Sequence, residues 1–153
     1  MRLPSQNCPL VFLHGWGTDS RIWQHLQHQF NDQTPCVYID LPGFGINKDV
    51  HIPNDFNQWL VWLEKEIPAN SILVGWSLGG LLAQGLCIRA PNRYHGLITV
   101  CSSPRFVAEP HWPGSKDEVL AGFFEQLLLS PEKTVQRFLA LQAMGSPSAK
   151  QDV

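Results

Sequence analysis

The stretch Ile72-Leu73-Val74-Gly75-Trp76-Ser77-Leu78-Gly79-Gly80-Leu81-Leu82-Ala83 decides how this chain folds. Its opening is short, apolar and partly β-branched, as a buried strand is, and residues 78–90 continue as an apolar helix. Between the two, Gly75-x-Ser77-x-Gly79 has the spacing of a sharp strand-to-helix turn that presents a nucleophile. Such a turn holds its serine in a strained conformation and crowds the positions two residues to either side, where glycine alone fits. It also aims the first helix N–H groups, and the positive end of the helix dipole, at any oxyanion formed by attack of the serine. Ser77 is therefore the candidate nucleophile, and the N–H of Leu78 the candidate oxyanion donor.

Outward from this turn, short apolar runs alternate with amphipathic stretches. Residues 9–13, 36–39, 71–74 and 97–101 read as strands. Asp19 or Ser20 can cap a helix with Ile22, Trp23, Leu26 and Phe30 on one face. Asn54 or Asp55 can cap a second, with Phe56, Leu60, Leu63 and Ile67 aligned. The alternation predicts an α/β fold: a mostly parallel sheet with helices on both faces and right-handed crossovers. Sites in such sheets lie beyond the carboxyl ends of the strands, and every loop singled out below follows a strand.

After Ser102-Ser103-Pro104 the alternation stops. Pro110, Pro113 and Gly114 break the chain, and two helices follow without a strand between them. The first covers about 116–129; the second is signalled by Ser130 as N-cap and Pro131 at the first helical position, and ends before Gly145. Residues 1–104 are thus expected to form a core and 105–153 a helical lid, the alternative being a hairpin packed on the sheet.

Composition narrows the function classes. A chain of 153 residues, 44% apolar and 16% charged, suits one globular core. A net charge of −2 lacks the basic excess of nucleic-acid binders. No run approaches the ~20 apolar residues that span a bilayer, and residues 1–7 have no signal-peptide core. The expected location is the cytoplasm. None of the four cysteines forms a C-x-x-C pair, so buried reduced thiols are expected, and neither a metal nor an organic cofactor is suggested.

His14-Gly15-Trp16-Gly17 follows the first strand, where the loop of such a site donates the second oxyanion amide; this assigns the N–H of Trp16. His14, before a glycine, is expected to order the turn rather than to act as base. Asp40, ending the second strand, is expected to accept hydrogen bonds from nearby amides. Trp16, Trp76 and Phe138 are candidates for the walls of an apolar acyl pocket.

With these residues in view, the chain resembles the pimeloyl-[acyl-carrier-protein] methyl ester carboxylesterases of biotin biosynthesis, within the α/β-hydrolase superfamily. The likeness runs through Leu13-His14-Gly15-Trp16-Gly17, Asp40-Leu41-Pro42-Gly43-Phe44-Gly45, Gly75-Trp76-Ser77-Leu78-Gly79-Gly80 and Ser102-Ser103-Pro104. It continues in Trp112-Pro113-Gly114, Val119-Leu120-Ala121-Gly122-Phe123, Arg137-Phe138-Leu139-Ala140-Leu141-Gln142 and Met144-Gly145. The resemblance implies the α/β-hydrolase fold with a helical lid. It also implies hydrolysis of a methyl ester on a pimeloyl chain carried by acyl carrier protein, releasing methanol. Basic lid residues bind the acidic carrier protein in that family, and the matching positions are Lys133, Arg137 and Lys150. Lysine at two of the three keeps the charge but not the bidentate fork of arginine.

The sequence departs from the family in one respect. A serine needs a base to take its proton and an acid to orient that base, in the chain order serine, acid, histidine. The family carries the acid and the histidine beyond the lid, and this sequence stops at Asp152-Val153. Only His95 and His111 follow Ser77; His95 precedes the fourth strand, at the wrong sheet edge, and His111 lies at the lid entrance. Two expectations result: an incomplete form of the esterase lacking the closing strands, or a non-catalytic remnant that retains carrier-protein binding. A hydrolase of the same fold acting on another ester is a further alternative.

Overall fold

A computed structural model describes residues 8–30 and 34–149. The chain divides into two compact units, Met1–Pro104 and Arg105–Val153. The first is built on four parallel strands: β1 (Leu10–Leu13), β2 (Cys36–Ile39), β3 (Ile72–Trp76) and β4 (Gly96–Val100), in the order β2-β1-β3-β4. Register pairs Leu13 with both Ile39 and Gly75, and Trp76 with Val100. The loops after all four strands therefore leave from one edge.

Alternation along the strands splits the core in two. Val11 and Leu13 of β1 and Leu73 of β3 face one side, where they meet Leu60 and Leu63 of α2 (Phe56–Glu66) and Leu82, Ala83 and Leu86 of α3 (Leu78–Arg89). Phe12 and Val74 face the other, with Trp23, Phe30 and Tyr38. Phe12 stacks on Tyr38 with centroids 4.9 Å apart and tilts against Trp23 at 5.2 Å. These are the offset and tilted geometries that aromatic quadrupoles favour.

Helix α2 begins as its sequence predicts, with the Asp55 carboxylate accepting from Gln58 N at 2.9 Å. The helix expected after β1 is instead a 3₁₀ turn, Ser20–Trp23, capped by Asp19, followed by a short α1 (Gln24–Gln27). Of its predicted apolar face Trp23 alone is buried; Ile22 and Leu26 are exposed, and Phe30 is half-buried. Trp23 packs on Phe12 there, and Phe30 joins the same face half-buried.

The fourth strand closes one residue earlier than expected. Cys101 lies outside it, exposed and at φ 45°, because the chain turns sharply there. Cys8, Cys36 and Cys87 are half-buried, so none of the thiols is buried as expected. β4 is an edge strand, and Leu97, Ile98 and Val100 on it are exposed.

In the second unit, residues 105–116 form an irregular loop closed by single bridges, Val107 to Ser115 and Glu109 to Trp112. The indole of Trp112 donates to Arg105 O at 3.0 Å. Helices α4 (Asp117–Leu129) and α5 (Pro131–Gln142) follow, with Phe123 and Phe138 in tilted contact at 5.7 Å. Ser130 stands at the N-cap of α5 without a capping side-chain bond, and Pro131 opens the helix. Among the described residues, no helix is long and apolar enough to cross a membrane.

Burial sets the expected mutational response. Leu73→Ala, at a fully buried position of β3, lowers unfolding free energy by ~2–5 kcal/mol. Ile88→Ala, at a 79% exposed position of α3, changes it by about 0.5 kcal/mol or less. Urea titration of both variants checks the contrast.

Candidate active site

Ser77 sits between β3 and α3 at φ 52°, ψ −115°. A non-glycine residue at positive φ is costly, by about 1–3 kcal/mol, and persists only where its surroundings hold it. Here both of its backbone groups are held. Its N–H donates to Val100 O of β4 at 3.0 Å, and its carbonyl accepts from Gly80 N at 3.0 Å and Leu81 N at 3.1 Å. The Ser102 hydroxyl donates to the same carbonyl at 2.7 Å.

The glycines on either side of Ser77 are required by close approach. A Cβ on Gly75 would run into the backbone of Gly79 and Gly80, and one on Gly79 into the carbonyl oxygens of Leu13 and His14. The first turn of α3 is thereby pressed onto the end of β1. Among the described residues nothing bonds to the Ser77 hydroxyl, and its side chain does not cap α3. The N–H of Leu78 heads that helix, where no intrahelical acceptor exists.

The loop after β1 lies against this turn, with the Trp76 ring on the backbone of Gly15. His14 is fully buried, edge-on to Phe44 at 5.4 Å. Its Nε2 accepts from Leu41 N at 2.9 Å, so Nδ1 carries the proton and donates to Gly15 O at 2.8 Å. The Thr18 hydroxyl donates to the same oxygen at 3.0 Å. Burial pushes the His14 pKa below its ordinary 6.5, against the opposing pull of the Gly15 carbonyl and of the Asp40 and Asp19 charges. Both ring nitrogens are thus engaged in holding loops.

Asp40 is buried and holds the loop after β2. Its carboxylate accepts from Ser20 N at 2.6 Å and Ile46 N at 2.8 Å, while Asn47 Nδ2 donates to its backbone carbonyl at 2.6 Å. Burial raises its pKa, but the amide bonds from Ile46 and Ser20 outweigh this and hold it below the usual carboxylate range.

The candidate residues divide between the units. Trp16, Trp76, Ser77 and Leu78 lie in the first, all half-buried. Phe138, half-buried, and Lys133 and Arg137, both exposed on α5, lie in the second. Lys133 and Arg137 are four residues apart and share a helix face; Lys150 is outside the described residues. His95 precedes β4 and donates its N–H to Ser71 O, at the sheet edge opposite Ser77. His111 is exposed in the second unit. Sequence reasoning missed Ser102 and Thr18. Ser102 acts from a loop 25 residues beyond Ser77, where local pattern carries no signal. Thr18 had the weak signal of a hydroxyl in a glycine-bounded turn.

The His14 arrangement makes stability depend on pH. Between its lowered folded pKa and the unfolded value of 6.5, the unfolded chain binds the extra proton, so stability rises with pH. The contribution is complete above 6.5 and is lost as pH falls through the folded pKa. Urea unfolding between pH 7.5 and pH 5 should therefore show a fall in stability that is shallower in His14→Gln.

The sequence model of the alpha/beta hydrolase family matches residues 10–151. A protein of Shewanella sp. (strain MR-7) named pimeloyl-[acyl-carrier protein] methyl ester esterase is 47% identical over 150 residues, 97% of this chain and 56% of that protein. One of the same name from Vibrio parahaemolyticus serotype O3:K6 is 45% identical, over 97% of this chain and 58% of its own length. The chain thus spans little more than half the length of these curated relatives. Among solved structures, an esterase from Exiguobacterium antarcticum superposes with a TM-score of 0.78 at 19% identity, covering 95% of this chain and 57% of that one. A hydrolase from Oleispira antarctica gives 0.77 at 17% identity, over 92% and 55%. These two likenesses are of fold. With a parallel sheet, a serine at positive φ between strand and helix, and a family match over nearly its whole length, the chain belongs to the alpha/beta hydrolase family.

Proposed function

We propose that the chain carries the nucleophile and oxyanion half of a serine carboxylesterase that hydrolyses the methyl ester of pimeloyl-acyl-carrier protein, in biotin biosynthesis. The observation that carries the reading is Ser77 at φ 52° on the β3–α3 turn, with its hydroxyl unbonded among the described residues. The names of the relatives at 47% and 45% identity supply the substrate class.

In this mechanism the Ser77 Oγ attacks the ester carbonyl as a base removes its proton. The tetrahedral oxyanion is met by the N–H groups of Trp16 and Leu78, donors already fixed before charge develops. Collapse expels the methoxy group, which takes up a proton and leaves as methanol; water then releases the acyl group from Ser77 by the reverse path. Trp16 and Trp76, beside the nucleophile turn, are the proposed walls of the acyl pocket. Lys133, Arg137 and Lys150, all in the second unit, dock the acidic carrier protein. The proposed setting is the cytoplasm.

A second reading, carrier-protein binding without turnover, is favoured by one observation. No imidazole or carboxylate among the described residues is bonded to Ser77. A serine site lacking a member of its triad keeps only ~10³–10⁴-fold enhancement over water.

Methanol release from the methyl ester of pimeloyl-acyl-carrier protein, with Ser77→Ala run in parallel, tests the first reading. Release is expected to depend on Ser77; release that survives Ser77→Ala would sink it. For docking, Lys133→Glu combined with Arg137→Glu is expected to weaken carrier-protein binding about tenfold at low ionic strength, with a smaller loss at high salt. Titration calorimetry at two salt concentrations reads both, and unchanged affinity would remove α5 from the interface.

A further inference from the structure

The loop 14–18 contains a peptide unit whose direction matters. Trp16 is flanked by Gly15, which lies against the Trp76 ring, and by Gly17, which sits at φ 81°, so no Cβ on either neighbour helps to set the Gly15–Trp16 peptide. In a trans peptide the carbonyl oxygen of one residue and the N–H of the next point in opposite directions. Whatever holds Gly15 O therefore also aims the Trp16 N–H.

Two donors converge on Gly15 O: Nδ1–H of His14 at 2.8 Å and the hydroxyl of Thr18 at 3.0 Å. The imidazole is itself immobilised. It is fully buried, edge-on to Phe44, and its Nε2 accepts from Leu41 N at 2.9 Å. Because an amide can only donate, that contact leaves the proton on Nδ1 and dictates which way the ring serves Gly15. The far end of the loop is tied to the same neighbour, since Ser20 N donates to the Asp40 carboxylate at 2.6 Å. Loop 14–20 is thus fastened to the loop after β2 at both ends and to itself at Gly15 O.

We infer that His14 and Thr18 are positioning residues that jointly lock the Gly15–Trp16 peptide and so aim the Trp16 N–H at the oxyanion of the reaction. The inference rests on the reading of Ser77 and Trp16 given above. Neither residue touches the reacting atoms; both act through one carbonyl oxygen. Neutral His14 is part of the lock, because a second ring proton would face the Leu41 N–H with no acceptor. The charged groups around it are the carboxylates of Asp40 and Asp19.

Thr18 gives the cleaner test, since it is only half-buried and Thr18→Val keeps its shape while removing the hydroxyl. Thr18→Ser keeps the donor. Two readouts are taken on the 153-residue chain. The first is the ¹⁵N shift of the Trp16 amide, which responds to hydrogen bonds at the preceding carbonyl. The second is binding of phenylboronic acid, followed by ¹¹B resonance; the Ser77 Oγ adds to boron, its proton passes to solvent, and a boron-bound oxygen takes the oxyanion position.

Thr18→Val is expected to move the Trp16 ¹⁵N resonance upfield and to weaken boronate binding about fivefold to tenfold, the effect of losing one hydrogen bond. Thr18→Ser should restore both. Boronate binding that depends on Ser77 but is unchanged in Thr18→Val overturns the inference, whatever the amide shift does. Binding indifferent to Ser77→Ala overturns the nucleophile reading instead. The amide shift then decides whether Thr18 holds the peptide, and an unmoved shift removes the lock as well.

Discussion

Three pieces of backbone meet at less than side-chain distance where β3 turns into α3, and the rest of the first unit is arranged to permit it. Gly75 lies against Gly79 and Gly80, and Gly79 against the carbonyls of Leu13 and His14. The approach forces Ser77 to positive φ, and the cost is offset by hydrogen bonds on both of its backbone groups. The same contact sets the distance between the loop after β1 and the start of α3. In the proposed mechanism, this closeness is what lets the Trp16 and Leu78 amides face one oxyanion.

The polar groups buried beneath that contact are held in opposite ionic states. His14 is kept neutral by burial, and Asp40 is kept charged by the amides of Ile46 and Ser20 despite burial. Each state suits the bonds required. A neutral imidazole both accepts and donates, so it can bridge Leu41 and Gly15; a carboxylate accepts only, so it can gather two amides from separate loops. The pair holds together the loops that leave the carboxyl edge of the sheet.

Much of this could be read from the chain before any coordinates. The four strands, the Asp55 cap, the Pro131 helix start and the serine on its turn came from period, capping and glycine spacing, because those signals act over a few residues. The failures have a common cause. Whether Ile22 and Leu26 are covered, whether Cys101 is inside, and which side chain reaches the Ser77 carbonyl all depend on partners 20 or more residues away, which local pattern does not encode. Ser102 illustrates this best. Nothing in Ser102-Ser103-Pro104 marks one hydroxyl out, and only the pairing of β3 with β4 brings it to Ser77.

β4 has a double position in the sheet. It is an edge strand with Leu97, Ile98 and Val100 exposed, yet Val100 accepts the Ser77 N–H and Ser102, just beyond it, donates to the Ser77 carbonyl. The most strained residue of the site is thus moored to a strand covered on one side only. The φ of Ser77 is therefore set from the neighbouring strand as well as from its own turn, so a substitution that shifts the end of β4 reaches the serine without touching it.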